Sequence, residues 1–197
     1  MFSVTTQVGR AGAPASAALA ASDEILLSRI ARGEALAMRA LFARHQTRVF
    51  RWLMRFVKDP ALAEDLLNEV FLDVWRQAAS FAGRSSVATW LLAIARFKAI
   101  SASRKRVDAQ LDEAVAETIP DPADDAEETL EREDQHASLR RALASLSEEH
   151  REVVDLVYYH DRSVKDVAEI IGIPEATVKT RMFYARKKLA ELLKDAA

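Results

Sequence analysis

The sequence predicts an all-α protein: two small helical domains joined by a flexible acidic linker, the second domain containing a helix-turn-helix. Three observations carry that expectation. Glycine and proline are scarce at five each, while the strong helix formers Ala, Leu, Glu and Arg abound. Large apolar residues recur at helical rather than alternating spacing. Charge is also segregated along the chain: residues 108–134 hold twelve acids against the single base Arg132, whereas no acid lies between Asp73 and Asp108. With 197 residues, half of them hydrophobic, the chain has apolar mass for one or two packed cores.

The elements follow in order. Residues 1–21 read as a disordered N-terminal tail, rich in Ala and lacking the basic and apolar runs of a secretory signal. Ser22 is a helix cap before Asp23 and Glu24; Ile25, Leu26 and Ile30 form the apolar side and Gly33 a stop. A long helix is expected over about 34–57. Asp59-Pro60 then restarts the chain, Asp as N-cap and Pro at the first helical position. The helix from Pro60 to about Ala78 carries Leu62, Leu66, Leu67, Val70, Phe71, Val74 and Trp75 on one stripe, with acids and Asn68 opposite. A loop at 83–86 precedes a helix over about 87–106. Residues 22–107 therefore form the first domain. Like-charge repulsion and Pro120 and Pro122 make 108–134 a linker. The second domain, 135–197, starts with a helix at about 135–144 and another from Leu146-Ser147-Glu148-Glu149. A capping-box start follows at Ser163-Val164-Lys165-Asp166, and a last helix runs from about Glu175 to Leu193.

Composition excludes several functions. There is no cysteine, so no disulfide framework, thiolate zinc site or thiol nucleophile exists. Four scattered histidines do not suggest a metal protein. Glu133-Asp134-Gln135-His136 has di-iron ligand spacing but no second copy. There is no phosphate-binding glycine loop or nucleophile elbow. No stretch approaches the ~20 apolar residues of a membrane-spanning helix. Neither an enzyme, a cofactor, a small-molecule substrate nor membrane insertion is expected.

The net charge of −2 conceals two basic regions. Arg76, Arg84, Arg96, Lys98, Arg104, Lys105 and Arg106 fill the acid-free interval; Lys179, Arg181, Arg186, Lys187 and Lys188 lie on the last helix. Two basic regions on separate helical units point to a polyanion touched at two places. The stretch 163–189 supplies the reading element: a short helix, Gly172 for a left-handed turn, Ile173 and Val178 to lock the pair, and a second helix.

The residues Asp166-Val167-Ala168-Glu169-Ile170-Ile171-Gly172-Ile173-Pro174-Glu175-Ala176-Thr177-Val178-Lys179-Thr180-Arg181, with Ala185-Arg186-Lys187-Lys188-Leu189 beyond, resemble the promoter-reading domain of bacterial RNA polymerase sigma factors. Ala63–Trp75 resembles the family's polymerase-binding helix, Thr89–Arg96 its promoter-melting helix, and Leu146–Val154 the opening of its second domain. Their order and spacing are similar to the small extracytoplasmic-function (ECF) subgroup. Phe97 and Ser101 stand where many relatives carry Asn and Asp.

The resemblance implies a cytoplasmic, non-catalytic factor that binds core RNA polymerase, directs it to promoters and helps open the −10 region, in a stress or envelope response. It implies polymerase contacts at Asp65, Asn68, Glu69 and Phe71. It implies −10 contacts at Phe81, Arg84, Trp90, Arg96, Phe97, Lys98 and Arg104, with Trp90 also fitting a core position. Glu175, Thr177, Lys179, Thr180, Arg181, Arg186 and Lys187 are the implied −35 contacts. Core polymerase, promoter DNA and an anti-sigma factor are the implied partners. Two alternatives share parts of this pattern: a sigma mimic that titrates an anti-sigma factor, and a stand-alone helix-turn-helix regulator.

Overall fold

Local capping chemistry sets the helix starts. The computed structural model describes residues 21–110 and 138–194, with side chains described through Arg106 and again from Ser138. The Ser22 hydroxyl accepts the Ile25 amide and opens α1 (Asp23–Ile30). Gly33, at φ 82°, turns the chain into α2 (Ala35–Val57). Asp59 Oδ1 accepts the amides of Ala61 and Leu62 at 3.0 and 3.4 Å, opening α3 (Pro60–Gln77). A short 3-10 turn, Ala78–Ser80, and a loop lead to α4 (Val87–Gln110). Residues 138–144 form the described part of α5. Ser147 caps α6 (Glu148–Tyr158), and α7 (Val164–Ile171) and α8 (Glu175–Lys194) complete the helix-turn-helix. No strand occurs among the described residues.

The capping box at Ser163 forms as the spacing predicts. Ser163 Oγ accepts the Asp166 amide at 3.1 Å, and Asp166 Oδ2 accepts the Ser163 amide at 3.2 Å. Gly172 adopts φ 78° at the end of α7, its amide donating to the Ala168 carbonyl at 2.9 Å.

Apolar periodicity places the core. Leu26, Leu41, Trp52, Leu53, Val70, Val74 and Leu91 are fully buried among α1–α4. Val153, Leu156, Val167, Val178 and Ala185 do the same for α6–α8. Full burial of one such aliphatic side chain contributes ~1.5–3 kcal/mol before conformational entropy is subtracted. Trp52 stands in the middle of the first group, its indole N–H donating to the Leu92 carbonyl at 3.1 Å, so its polar atom does not go unpaired.

Four expectations are corrected. Ile25 is exposed while Leu27 is buried, because α1 turns Leu26, Leu27 and Ile30 inward. Trp75, expected on the apolar stripe of α3, is 39% exposed. Helix α4 runs to Gln110 and so takes in the first residues of the expected linker; extending an existing helix costs far less than starting one. Ala21, assigned to the tail, packs against the core and accepts a hydrogen bond from Arg44 at 2.9 Å. The rest of the tail, and the linker from 111 onward, lie outside the described residues.

The two helical units are also packed together, their buried residues forming one continuous cluster. Helix α7 lies against α4, while α8 packs on α6 and α7.

At Gly172 an added Cβ would meet no atom within 4 Å, so only the backbone opposes a side chain. Gly172→Ala should therefore cost about 1–2 kcal/mol in denaturant unfolding, and Gly172→Asn less, because Asn tolerates the left-handed region. Equal losses for both would place the cost in packing instead.

Candidate nucleic-acid interface

Helix α4 is the element on which most of the candidate surface hangs, and its first turn is tied to the second unit. Thr89 is fully buried. Its hydroxyl donates to Asp166 Oδ1 at 2.9 Å and contacts the Ser86 hydroxyl at 2.9 Å, while its amide donates to Ser86 Oγ at 3.1 Å. Burial opposes the charge on Asp166, but hydrogen bonds from Ser163 and Thr89, with Arg162 nearby, outweigh it and hold the carboxyl below its ordinary value.

Two turns further along α4, Arg96 Nε donates to Glu152 Oε1 at 2.7 Å and its Nη2 to Oε2 at 3.4 Å. Glu152 is buried, so the fork compensates a charge removed from water. Arg55 of α2 approaches Asp155 at 3.5 Å. Burial raises the Asp155 carboxyl, against the pull of Arg55. The His160 ring meets Trp52 edge-on at 5.3 Å. Together these contacts form a polar seam along the junction of the units.

The seam changes the reading of the basic interval. Arg96 is committed to Glu152 across the junction. Lys98 reaches back to α3, 3.1 Å from Glu69 and 2.8 Å from Asp73, and these two carboxylates more than offset its burial and raise its pKa. An interval free of acids in sequence thus meets acids from α3 and α6 in space. Arg84 and Arg104 remain exposed, and Phe97 presents a ring 73% exposed. Phe81 and Trp90 are half-buried against each other, ring centroids 5.1 Å apart.

On α3, Asp65, Asn68 and Glu69 are exposed. Phe71 is not: it is buried, edge-on to Phe42 at 4.8 Å. Its ring belongs to the core, which removes it from the surface of this helix. Leu72 and Trp75 are exposed in its place, at 46% and 39%. The sequence reading put Trp75 on the apolar stripe, because a stripe wider than the buried seam looks continuous in projection, and passed over Leu72.

On α8, Glu175, Lys179, Thr180, Arg186 and Lys187 are exposed and Thr177 is half-buried. The Thr180 hydroxyl donates to the Ala176 carbonyl at 2.9 Å, and Arg186 Nε to the Met182 carbonyl at 3.3 Å. Arg181 is drawn toward α6, its guanidinium 3.3 Å from Glu149. Phe183 is 59% exposed and shares a helix face with Lys179 and Lys187 at four-residue spacing. Its exposure had no signal in the sequence, since a phenylalanine beside Met182 reads as core.

Comparison with known proteins then decides the family. Residues 41–108 match the family model Sigma-70 region 2, and residues 136–189 match Sigma-70, region 4. The ECF RNA polymerase sigma factor SigL of Mycobacterium tuberculosis is 33% identical over 174 residues, covering 86% of this chain and 96% of the relative. The chain belongs to the ECF sigma factors of RNA polymerase. The family acts in transcription initiation. The RNA polymerase sigma-H factor of Pseudomonas aeruginosa is 29% identical over 187 residues, 88% of this chain and 97% of that protein. The sigma factor RpoE of Bartonella quintana, solved with the anti-sigma factor NepR, is 27% identical at a TM-score of 0.61, covering 78% of this chain and 94% of that one. The fold is also that of CnrH, solved with the cytosolic domain of CnrY, at a TM-score of 0.63 and 23% identity, covering 89% and 99% of the two chains. No described helix of this ECF factor is long and apolar enough to cross a membrane.

The seam predicts a pH dependence. Burial first, and then Arg48, Arg162, Arg55 and Arg51, lower the His160 pKa from 6.5 to about 4. Between those values the unfolded chain binds the proton and the folded chain does not, so stability falls as pH drops through this window. His45, lowered chiefly by burial against the pull of Asp23, adds in the same direction. Asp155, raised chiefly by burial from its ordinary 3.8, acts with the opposite sign as pH falls toward that value. Unfolding free energies measured from pH 7 to 4 should therefore decline less steeply in His160→Gln than in the parent. Parallel curves would show that the histidine is not held neutral.

Proposed function

We propose that this ECF factor binds core RNA polymerase through the exposed face of α3, holds the melted −10 strand on α4 and the preceding loop, and reads the −35 element with α8. The proposal rests chiefly on one observation: Lys179, Thr180, Phe183 and Lys187 are exposed on the second helix of a correctly capped helix-turn-helix. A major groove accepts such a helix, with amines reaching phosphates and an apolar ring reaching a thymine methyl. On α3 the exposed acids Asp65 and Glu69 lie with Asn68, Leu72 and Trp75, a mixed polar and apolar face suited to a protein partner. Arg84 in the preceding loop and Arg104 and Phe97 on α4 supply charge and a stacking ring for unpaired bases, with the paired rings of Phe81 and Trp90 as further candidates.

This division of labour uses the domain limits 22–107 and 135–197 with the acidic segment between them. It requires no catalysis, only differential binding to closed and open DNA, and it operates in the cytoplasm. Arg96 and Lys98 contribute only after their carboxylate partners let go. We read the packed arrangement as the free state, released when polymerase and promoter engage the two units separately. An anti-sigma factor is the natural regulator of such a switch, as the sigma factor solved with the anti-sigma factor NepR illustrates.

Reconstituted transcription tests this reading. The purified chain with core polymerase should open promoters carrying its −10 and −35 elements. Lys179→Ala with Phe183→Ala should weaken −35 recognition by ~1–3 kcal/mol and leave polymerase binding intact. Arg181→Ala should do less, since Glu149 already engages that side chain. Polymerase binding without any promoter opening would instead favour the titrating mimic.

A further inference from the structure

Beside the seam lies an open cleft of about 690 Å3, within the size range of small-molecule sites. Both units build it. Arg44, Arg48 and Arg51 line it from α2; their spacing of four and three residues puts them on one helix face. Ser86, Val87 and Ala88 bring in the start of α4, and His160 and Arg162 come from the second unit.

The chemistry of these walls converges on an oxyanion. The first amides of a helix have no intrahelical acceptor and lie at the positive end of its dipole. Ser86 Oγ takes the Thr89 amide, leaving the two preceding amides, those of Val87 and Ala88, at the cleft. Arg44 is bound to Asp23 and to the Ala21 carbonyl. Arg48 and Arg51 are exposed and pair with no carboxylate among the described residues. Asp161 adopts a left-handed conformation at φ 53°, and the neighbouring Arg162 donates to the His160 carbonyl at 2.7 Å and reaches Ser86 Oγ at 3.4 Å. His160 Nδ1 is buried without a hydrogen-bond partner among the described residues. Carboxylates are present too. Asp23 and Asp155 are already paired with Arg44 and Arg55, which leaves Glu24 as the remaining carboxylate of the lining.

We propose that this cleft binds a phosphorylated small molecule of nucleotide size, its phosphates held by Arg48, Arg51, Arg162 and the α4 N-terminus. Three guanidinium groups and a helix N-terminus match the two or three charges of a diphosphate better than the single charge of a side-chain carboxylate. The ligand touches both units, so binding stabilises the packed arrangement by mass action and gives a metabolite a hold on promoter access. Ligand binding does not depend on which surfaces meet polymerase or DNA, whereas the hold on promoter access rests on the packed arrangement being the free state.

Calorimetric titration of the full chain with inorganic pyrophosphate and with ADP tests it. Saturable one-to-one binding is expected. Arg48→Gln with Arg51→Gln should weaken it by about tenfold or more, as loss of charge-assisted hydrogen bonds does. Arg162→Gln alone should also weaken it, and Arg39→Gln with Lys58→Gln, an equal charge change elsewhere on and beside α2, should not. Circular dichroism checks folding, and the altered side chains of both double variants are exposed. Pyrophosphate should also raise the melting temperature of the parent but not of the Arg48/Arg51 variant. No saturable binding of either probe, or equal weakening by both double variants, overturns the proposal. An unchanged affinity in Arg162→Gln overturns the shared site. If the probes fail while Arg48→Gln with Arg51→Gln impairs binding of a promoter duplex or an acidic peptide, the cleft serves a macromolecule and the small-molecule reading falls.

Discussion

A hydroxyl buried between two helical units must find a partner inside the protein, because the alternative costs of order 1–3 kcal/mol. Thr89, fully buried in the first turn of α4, meets that demand through Asp166 and Ser86. Asp166 is the same carboxylate that closes the capping box of α7. One side chain thus starts the helix-turn-helix and fastens it to the helix expected to hold melted DNA. Arg96–Glu152 and Arg55–Asp155 extend the junction along α4 and α2, and α8 is left facing outward as a consequence of how α7 is seated.

The polar character of this junction bears on function. Apolar burial continues across the junction, but its hydrogen bonds and ion pairs are of a kind that can exchange for water and for competing charges. On the proposed reading, a DNA phosphate or a partner's carboxylate would compete for the groups that hold the seam. The residues that fasten the packed chain are therefore of the types that charged partners would draw away, and Arg96, paired here with Glu152, is also a proposed −10 contact.

How much of this could be read from the sequence differs by feature. The helices were legible because caps and stops are local: Ser22, Asp59, Ser147, Ser163 and Gly172 each act within a few residues. The helix-turn-helix was legible for the same reason, together with the burial of Val178. What escaped reading was tertiary. Nothing near Arg96 in the chain announces Glu152, 56 residues away, and nothing beside Lys98 announces Glu69. Periodicity placed Phe71 and Trp75 on one stripe, but only the position of α2 decides that Phe71 goes under Phe42 and Trp75 stays out. Trp52 and His160, central to the core and to the seam, carry no motif. The candidate contacts on α8 could be read from the sequence as a set, but the retreat of Arg181 to Glu149 and the emergence of Phe183 depend on how α6 and α8 meet.

Release of the packed free state is the step on which the proposed function turns. The chain has no cysteine, so single labels can be placed without background at Ala79→Cys and Lys165→Cys, both exposed and on different units. Pulsed electron-spin distance measurement between them should give one short, narrow distribution in the free protein. With core polymerase and a promoter duplex it should shift to a longer distance. A broad distribution in the free chain, or the same short distance in the promoter complex, would contradict the account.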